Sequence, residues 1–360
     1  MANAEWRLET LFYCCQYLFL TDDSESALAI ANYGIRLSKQ SGRREDLRRF
    51  FNVLGVLQGE CGREVEAVES FAESLALAKE LGNELAVFGT LVNLSGVLVN
   101  SGLYAEAIGC AKLALSVRES APQELMDEGA AFTNVALSLH YLGESAKARE
   151  FAQRAVGVLG LPKDNAGAMS RLAREQNFVM ILIKLGEFPE ARARCRIMDD
   201  LLTRIGSHRA SAISAIAHGI VDVHCGDPDR GLAMIKSTAA DAAMRNSALR
   251  SDALATLASA FSALERPEEA LKALMELRSH LEGKRLSDAV RALELSQKIC
   301  IVLPTYLQTN SREHQLSEAT LRARVAEREV SRSRQEMLER MAVAADIRED
   351  ISGEHGYRVG

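Results

Sequence analysis

The stretch REVEAVESFAESLALAKELG, residues 63–82, decides the fold, because its pattern of small side chains recurs along the chain. It carries Ala67, Phe71 and Ser74 at intervals of four and three, which places all three on one face of a helix. Similar stretches are YAEAIGCAKLALSV (104–117), AKAREFAQRAVGVL (146–159) and PEARARCRIMDDLL (189–202). The recurrence predicts a chain built from copies of one helical unit.

The repeat has a nearly constant length. The triplets are Ala27/Ala31/Gly34, Ala67/Phe71/Ser74, Ala107/Ala111/Ala114, Ala148/Ala152/Ala155, Ala191/Cys195/Met198, Gly231/Ile235/Thr238 and Ala270/Leu274/Leu277. Their first residues lie 40, 40, 41, 43, 40 and 39 positions apart. A period near 40 is typical of arrays built from helix pairs. The sequence therefore predicts seven units.

Two other features recur in register with the triplet. In five copies a glycine, which suits a left-handed helix cap, lies five positions before the triplet: Gly62, Gly102, Gly143, Gly186 and Gly226. Mostly small residues lie twelve positions before it: Gly55, Ser95, Ala136, Val179, Gly219 and Ala258. Small residues allow two helices to cross closely. Each unit is therefore predicted to be a helix, a glycine turn and a second helix.

These offsets resemble those of the tetratricopeptide repeat (TPR), whose usual unit has 34 residues. Units near 40 resemble those of bacterial peptide-receptor regulators and signalling-protein repeats. The resemblance covers residues 4–280 and implies an all-α superhelical solenoid with a concave groove suited to binding. We expect residues 281–309 to form one more helix that caps the last unit.

The overall composition of the chain argues against several classes of function. The formal net charge of −6 argues against a nucleic-acid partner, which would need a basic face. The seven cysteines contain no C-x-x-C pair and mostly have apolar neighbours, which indicates reduced core residues. The N-terminal apolar run LFYCCQYLFL has about half the residues of a membrane span. We therefore expect a cytoplasmic protein without a membrane segment.

Three asparagines mark the candidate groove. The TPR resemblance implies that the first helix of each unit lines the concave side, where Asn93, Asn134 and Asn177 each lie nine residues before a turn glycine. Asn52 lies one position out of this register. An amide both donates and accepts hydrogen bonds and so matches the backbone of an extended peptide. The sequence favours a peptide or protein ligand here; the alternative is that these are solvated polar residues on a wet inner face.

Catalytic patterns are absent from the repeats. The five histidines before residue 300 show no H-x-x-x-H or H-E-x-x-H spacing, and no phosphate-binding glycine loop follows a strand pattern. We therefore expect no cofactor in the array and no enzymatic activity of its own.

The composition changes at Asn310. Residues 310–345 are densely charged and contain neither Gly nor Pro, and their apolar residues recur at intervals of roughly three to five: Leu316, Leu321, Val325, Val330, Met337, Leu338 and Met341. This imperfect seam predicts a linker helix that pairs across a parallel homodimer. The alternative is a single solvated helix with many charge pairs.

The last stretch, LERMAVAADIREDISGEHGYRVG (338–360), resembles the opening of an HD-GYP domain, the metal-dependent phosphohydrolase family that acts on cyclic di-GMP. That family opens with L-x-x-A-x-x-x-R-D and then T-G-x-H-x-x-R-V. Ser352 takes the place of Thr, while the matching residues are Gly353, His355, Arg358 and Val359. The resemblance implies that residues 346–360 begin this domain and that His355 is a metal ligand.

The HD-GYP resemblance is partial. Glu349 replaces the family's Asp, Ile351 stands where some members have an extra carboxylate, and no His-Asp dipeptide occurs in the sequence. One imidazole cannot hold the divalent metals that the complete domain would need. We therefore expect residues 1–360 to be catalytically inactive, with the sequence stopping inside that domain.

The pattern favours a TPR sensor that controls a C-terminal HD-GYP phosphodiesterase. The alternative is a stand-alone TPR scaffold or adaptor with a dimerising tail. A peptide-receptor transcription regulator would also have long units, but it would need a helix-turn-helix segment, and the N-terminal residues lead straight into the first repeat.

Overall fold

The computed structural model describes residues 2–20, 23–119, 128–158, 165–245 and 247–285. Within these ranges the chain is all α-helical. The helices are α1 (Ala2–Leu20), α2 (Ser24–Ser41), α3 (Arg44–Glu60), α4 (Glu64–Glu80), α5 (Glu84–Asn100), α6 (Tyr104–Glu119), α7 (Glu128–Tyr141), α8 (Ser145–Gly157), α9 (Asn165–Leu185), α10 (Phe188–Ile205), α11 (His208–Cys225), α12 (Pro228–Arg245), α13 (Ser247–Ala263) and α14 (Pro267–Arg285).

Consecutive helices pack in pairs, so the fourteen described helices form the seven predicted units. The triplets lie on the even-numbered helices and most of their residues are buried. The first residue of the triplet is fully buried in five units: Ala27, Ala67, Ala107, Ala148 and Ala191. The predicted all-α, TPR-like repeat architecture is therefore confirmed.

The two helices of a unit cross where both residues are small. In the sixth unit, a Cβ atom added to Gly231 of α12 would lie 2.5 Å from the carbonyl oxygen of Gly219 in α11. In the second unit, a Cβ on Gly55 would lie 2.7 Å from the ring of Phe71, which is fully buried. The register twelve positions before the triplet therefore marks the crossing point, as predicted.

The turns inside the units explain why glycine recurs at a fixed position of the repeat. Gly62, Gly102, Gly143 and Gly186 all have positive φ angles, between 70° and 80°. The residue after each glycine donates its backbone N–H to a carbonyl five positions back, which satisfies an orphan carbonyl at the helix end. These four predictions of a left-handed cap are confirmed.

A second set of left-handed glycines separates one unit from the next, and the sequence interpretation missed it. Gly42, Gly82 and Gly206 have φ angles of 67°, 63° and 57° and follow α2, α4 and α10. In the first units a left-handed glycine therefore ends a helix about every half repeat. Gly42, Gly62 and Gly82 are evenly spaced in the sequence, so this pattern could have been predicted.

Gly226 was wrongly predicted to be a left-handed cap, because its φ angle is −138°. Pro228 is the first residue of α12. Asp227 instead caps α12 directly, since its Oδ1 accepts a hydrogen bond from the N–H of Arg230 at 3.1 Å.

The seventh unit has a glutamate where the register calls for glycine. Glu265 lies five residues before Ala270 and, among the described residues, it alone combines a side chain with a positive φ angle, 55°. Its neighbour Arg266 makes the same backbone hydrogen bond to a carbonyl five positions back, 2.9 Å from the Phe261 oxygen. The repeat therefore imposes the turn, and the Glu265 backbone is strained by it.

Replacing Glu265 by Gly should relieve this strain. We expect Glu265→Gly to raise the free energy of unfolding by about 0.5–1 kcal/mol. This is the energy of the left-handed conformation that glycine avoids, minus the greater conformational entropy that glycine loses on folding. Thermal unfolding followed by circular dichroism would measure the change. Gly102→Ala is the matched control and should lower the melting temperature; an unchanged or lower melting temperature for Glu265→Gly would contradict the strain.

The last described helix exposes apolar side chains. Leu271, Leu274 and Met275 of α14 are 59%, 49% and 62% exposed. Leu274 is the middle residue of its triplet, a position that is buried in each of the six earlier units. Residues 281–285 continue α14. The rest of the predicted capping helix (281–309), the linker helix (310–345) and the HD-GYP segment (346–360) lie outside the described residues.

Candidate functional site

The odd-numbered helices form the inner layer of the array. Each of them contacts the next odd-numbered helix, from α1 to α13, whereas no two even-numbered helices make a comparable contact within the described ranges. An array whose members are closer on one side curves toward that side. The odd-numbered helices therefore line the concave surface, the position expected of the first helix of each unit.

Two of the predicted asparagines connect adjacent inner helices. Nδ2 of Asn93 in α5 donates to Oδ1 of Asn52 in α3 at 3.3 Å. Nδ2 of Asn134 in α7 donates to the carbonyl oxygen of Val92 at 3.0 Å and to Oγ of Ser95 at 2.6 Å, both in α5. Part of their donor capacity therefore stabilises the stack itself.

Asn177 differs from Asn134 although it occupies the same register in α9. Its amide makes no hydrogen bond to any residue that the structure describes. The reason is local: the residue equivalent to Ser95 in the preceding unit is Ala136, which has no hydroxyl group. Among the described residues, the Asn177 amide and the Oδ1 atoms of Asn93 and Asn134 have no hydrogen-bond partner, so these polar groups of the row could bond a ligand.

The arginines near Asn177 do not form a clamp for a carboxylate ligand. Nε of Arg171 donates to Oε1 of Glu175 at 2.8 Å, and Nη2 of Arg174 donates to Oγ of Ser170 at 2.9 Å. Glu175 is fully buried and also faces Arg194 of α10 at 3.7 Å. These charges belong to a network between helices, where removing one partner would leave buried charge uncompensated.

Aromatic rings continue the inner surface beyond Asn134. Tyr141 lies seven residues after Asn134, on the same face of α7, and is 55% exposed. Its ring stacks on that of Tyr104 at the start of α6, with centroids 5.1 Å apart and an interplanar angle of 18°. The inner face therefore presents amides first and an aromatic surface about two helical turns further on.

Residues from distant units meet beside these rings. Nη2 of Arg209 in α11 lies 3.5 Å from Oε2 of Glu60, the last residue of α3. The same guanidinium lies 5.4 Å from the ring centroid of Phe19 in α1. Arg209 of the sixth unit is therefore joined to the second unit by an ion pair and to the first unit by a cation–π contact.

Asp252 of α13 lies beside this ion pair. Asp252 as a residue is exposed to solvent, although neighbouring protein partly desolvates its carboxylate. Burial raises the pKa of Asp252 to about 6, the Glu60 carboxylate raises it further, and Arg209 opposes the change. Burial raises the pKa of Tyr141 most, and the Asp252 and Tyr104 charges raise it further. We name Glu60, Tyr104, Tyr141, Arg209 and Asp252 the inner acidic–aromatic cluster.

The Asp252 carboxyl should make stability depend on pH. A carboxyl whose pKa is higher in the folded protein stabilises the fold while it is protonated. This stabilisation is fully present below pH 3.8, the ordinary pKa, and is lost as the pH rises through about 6. Asp252→Asn should therefore melt at a higher temperature than the parent above that range, and the difference should shrink as the pH falls. Melting curves across this range test it, with Asp229→Asn on the outer α12 as control; equal melting temperatures throughout would contradict it.

The remaining titratable groups indicate structural roles. Burial raises the pKa of the Cys15 and Cys195 thiols to about 12, so neither is a ready nucleophile. His218 bonds Asp199 at 2.9 Å, and His224 stacks on Phe188 at 5.4 Å. Across the described ranges, no three His, Cys, Asp or Glu side chains are grouped so that they could hold a metal. His355 lies outside the described residues, so its predicted role remains a prediction.

The inner acidic–aromatic cluster was not predicted from the sequence. Its residues come from five helices, and Glu60 and Asp252 are far apart in the chain, so no local spacing connects them. Tyr141 had a usable signal, since it lies on the helical face that Asn134 defines. None of the helices in the described part of the chain combines the length and the apolar run that a membrane-spanning helix needs.

The class of protein follows from this architecture: the chain is an all-α, TPR-like helical solenoid. No protein-family model matches it, and no curated protein matches it in sequence. Among solved structures, the apo form of the quorum sensor NprR from B. thuringiensis is 13% identical, has a TM-score of 0.56, and matches over 77% of each chain. The apo form of RapI is 13% identical with a TM-score of 0.46, over 97% of this chain and 92% of that one. At this identity the likeness to NprR shows the fold alone.

Proposed function

We propose that the chain is a cytoplasmic sensor module whose inner groove binds an extended peptide or a peptide segment of a protein. The observation that carries the proposal is the row of amides at one register of adjacent inner helices, of which Asn177 and the Oδ1 atom of Asn134 have no bond to a described residue. Amides at regular spacing match the alternating donors and acceptors of an extended backbone. NprR, which has a similar fold, is a quorum sensor, and this supports a sensory role.

A displayed library of short random peptides, panned against the full chain, tests the groove. We expect enriched peptides whose affinity falls roughly tenfold in Asn177→Ala, because an amide that bonds a backbone in a sheltered site loses about two hydrogen bonds. Asn177 has no bond to a described residue, so its substitution should not disturb folding; Asn134→Ala is the second variant. The control is Asn32→Ala on the outer face of α2, where the amide bonds only the Leu28 carbonyl. No enrichment, or equal binding by both groove variants and the control, would overturn the proposal.

We further propose that occupancy of the groove controls a C-terminal HD-GYP cyclic di-GMP phosphodiesterase. Support comes from the motif at 338–360, with His355 as one ligand of divalent metals in a complete domain, and from the charged residues 310–345, which would pair as a homodimer and transmit the signal. Reading the source gene beyond codon 360 is the test. A His-Asp pair followed by a Gly-Tyr-Pro segment is the expected result. A stop codon directly after Gly360 would contradict the proposed control of a phosphodiesterase.

A stand-alone adaptor is the second candidate, and the first helix favours it. Trp6, Tyr13 and Tyr17 lie on one face of α1 and are 70%, 59% and 67% exposed. Large aromatic side chains on one exposed face are typical of protein interaction surfaces. An adaptor would use this surface together with the tail and would need no output domain, so the same reading of the gene separates the two candidates.

A further inference from the structure

Five inner helices and one arginine side chain form a closed ring. Within the described ranges, α3 contacts α5, α5 contacts α7, α7 contacts α9 and α9 contacts α11. Arg209, the second residue of α11, closes the ring, because its Nη2 atom lies 3.5 Å from Oε2 of Glu60, the last residue of α3. Its guanidinium also lies 5.4 Å from the ring centroid of Phe19, near the end of α1. We name these contacts of Arg209 with Glu60 and Phe19 the clasp.

The clasp differs in kind from the other links of the ring. Those links are helices packed against each other, whereas no helix of the first two units packs extensively against the sixth or seventh unit in the part of the chain that the structure describes. Arg209 reaches the first two units through its side chain, which has many rotamers. This link can therefore break without unpacking a helix.

Partial burial gives the clasp an intermediate strength. The side chains of Arg209 and Glu60 are 16% and 22% exposed. Fully exposed ion pairs contribute little to stability, whereas breaking a fully buried pair leaves an uncompensated charge in the interior. The position of the guanidinium over Phe19 adds a cation–π attraction. A contact of this kind holds two surfaces together and can open while the protein stays folded.

The clasp spans the candidate groove. Asn93, Asn134 and Asn177 lie on α5, α7 and α9, which are the three inner helices between the two that the clasp joins. The row of amides therefore lies on an arc whose two ends are held together by Arg209. Separating Arg209 from Glu60 would let the ends of this arc move apart.

We propose that the clasp is a charge-dependent latch, which holds the first two units against the sixth and so limits how far the groove opens. In the closed state the ion pair joins the ends of the arc. In the open state only the packing of adjacent inner helices sets the curvature. The latch belongs to the array itself, so it does not depend on which ligand the groove binds.

Small-angle X-ray scattering of the full chain tests the latch, with the sample eluted from a sizing column so that one oligomeric state is measured. Glu60→Gln and Arg209→Met each remove the charge of one partner, and each should shift the radius of gyration to a larger value. The double variant should be no larger than either single variant, because residues that act through one contact do not have additive effects. Arg204→Met is the matched control, since it removes the same charge from an exposed position of the outer helix α10 and should leave the radius unchanged.

The unmodified chain supplies a second test. The Debye length falls from about 10 Å at 0.1 M salt to about 3 Å at 1 M salt, so salt weakens a partly exposed ion pair. The radius of gyration of the unmodified chain should increase over this range, whereas that of Glu60→Gln should not. Circular dichroism checks that each sample remains helical, and the salt series of the unmodified chain decides if a variant unfolds.

Three results would each overturn the latch: an unchanged radius in both single variants, a double variant larger than either single variant, or a radius of the unmodified chain that does not respond to salt. Failure of the proposed function has a different signature. In that case no peptide would be enriched on the chain, while the radii of gyration would still follow the charge of the clasp.

Discussion

The close crossing of the two helices in each unit is the constraint on which the rest of the structure depends. Where Gly231 meets Gly219, a single added Cβ atom would lie 2.5 Å from a backbone oxygen, and no side-chain movement could relieve the clash. The same point in other units is occupied by fully buried alanines such as Ala67 and Ala107. Because the residues at the crossing are small, the two helices of each pair approach closely. The inner helices of adjacent units also contact one another. The curvature and the concave face follow from that contact.

The fold could be predicted from the sequence because its determinants are local and repeated. The triplets, the small residues at the crossing and the turn glycines recur at fixed offsets, and one chain contains enough copies to reveal them. Glu265 shows how strongly the register acts, since a glutamate adopts the left-handed turn when the glycine is missing. Gly226 departs from the pattern with a φ angle of −138°, although Glu265, which also lies two residues before a proline, keeps the left-handed turn.

The candidate groove could be predicted only in part. The register identified the asparagines, but it could not show that Nδ2 of Asn134 donates to the Val92 carbonyl and to the Ser95 hydroxyl. That difference from Asn177 depends on whether the preceding unit carries a serine or an alanine at the crossing position. The inner acidic–aromatic cluster lay beyond prediction for a simpler reason. Glu60 and Arg209 lie 3.5 Å apart although they belong to the second and sixth units, and no periodic pattern specifies which residues of distant units meet.

The cluster also explains how a bound ligand could act on the array. A peptide held by Asn134 and Asn177 would contact the fourth and fifth units, while the Arg209–Glu60 pair joins the sixth unit to the second. A ligand changes the spacing of these units only by the difference between its affinities for two arrangements. A ligand that spans the amide row would supply such a difference if the spacing of its bonds fits one arrangement of the inner helices better than the other.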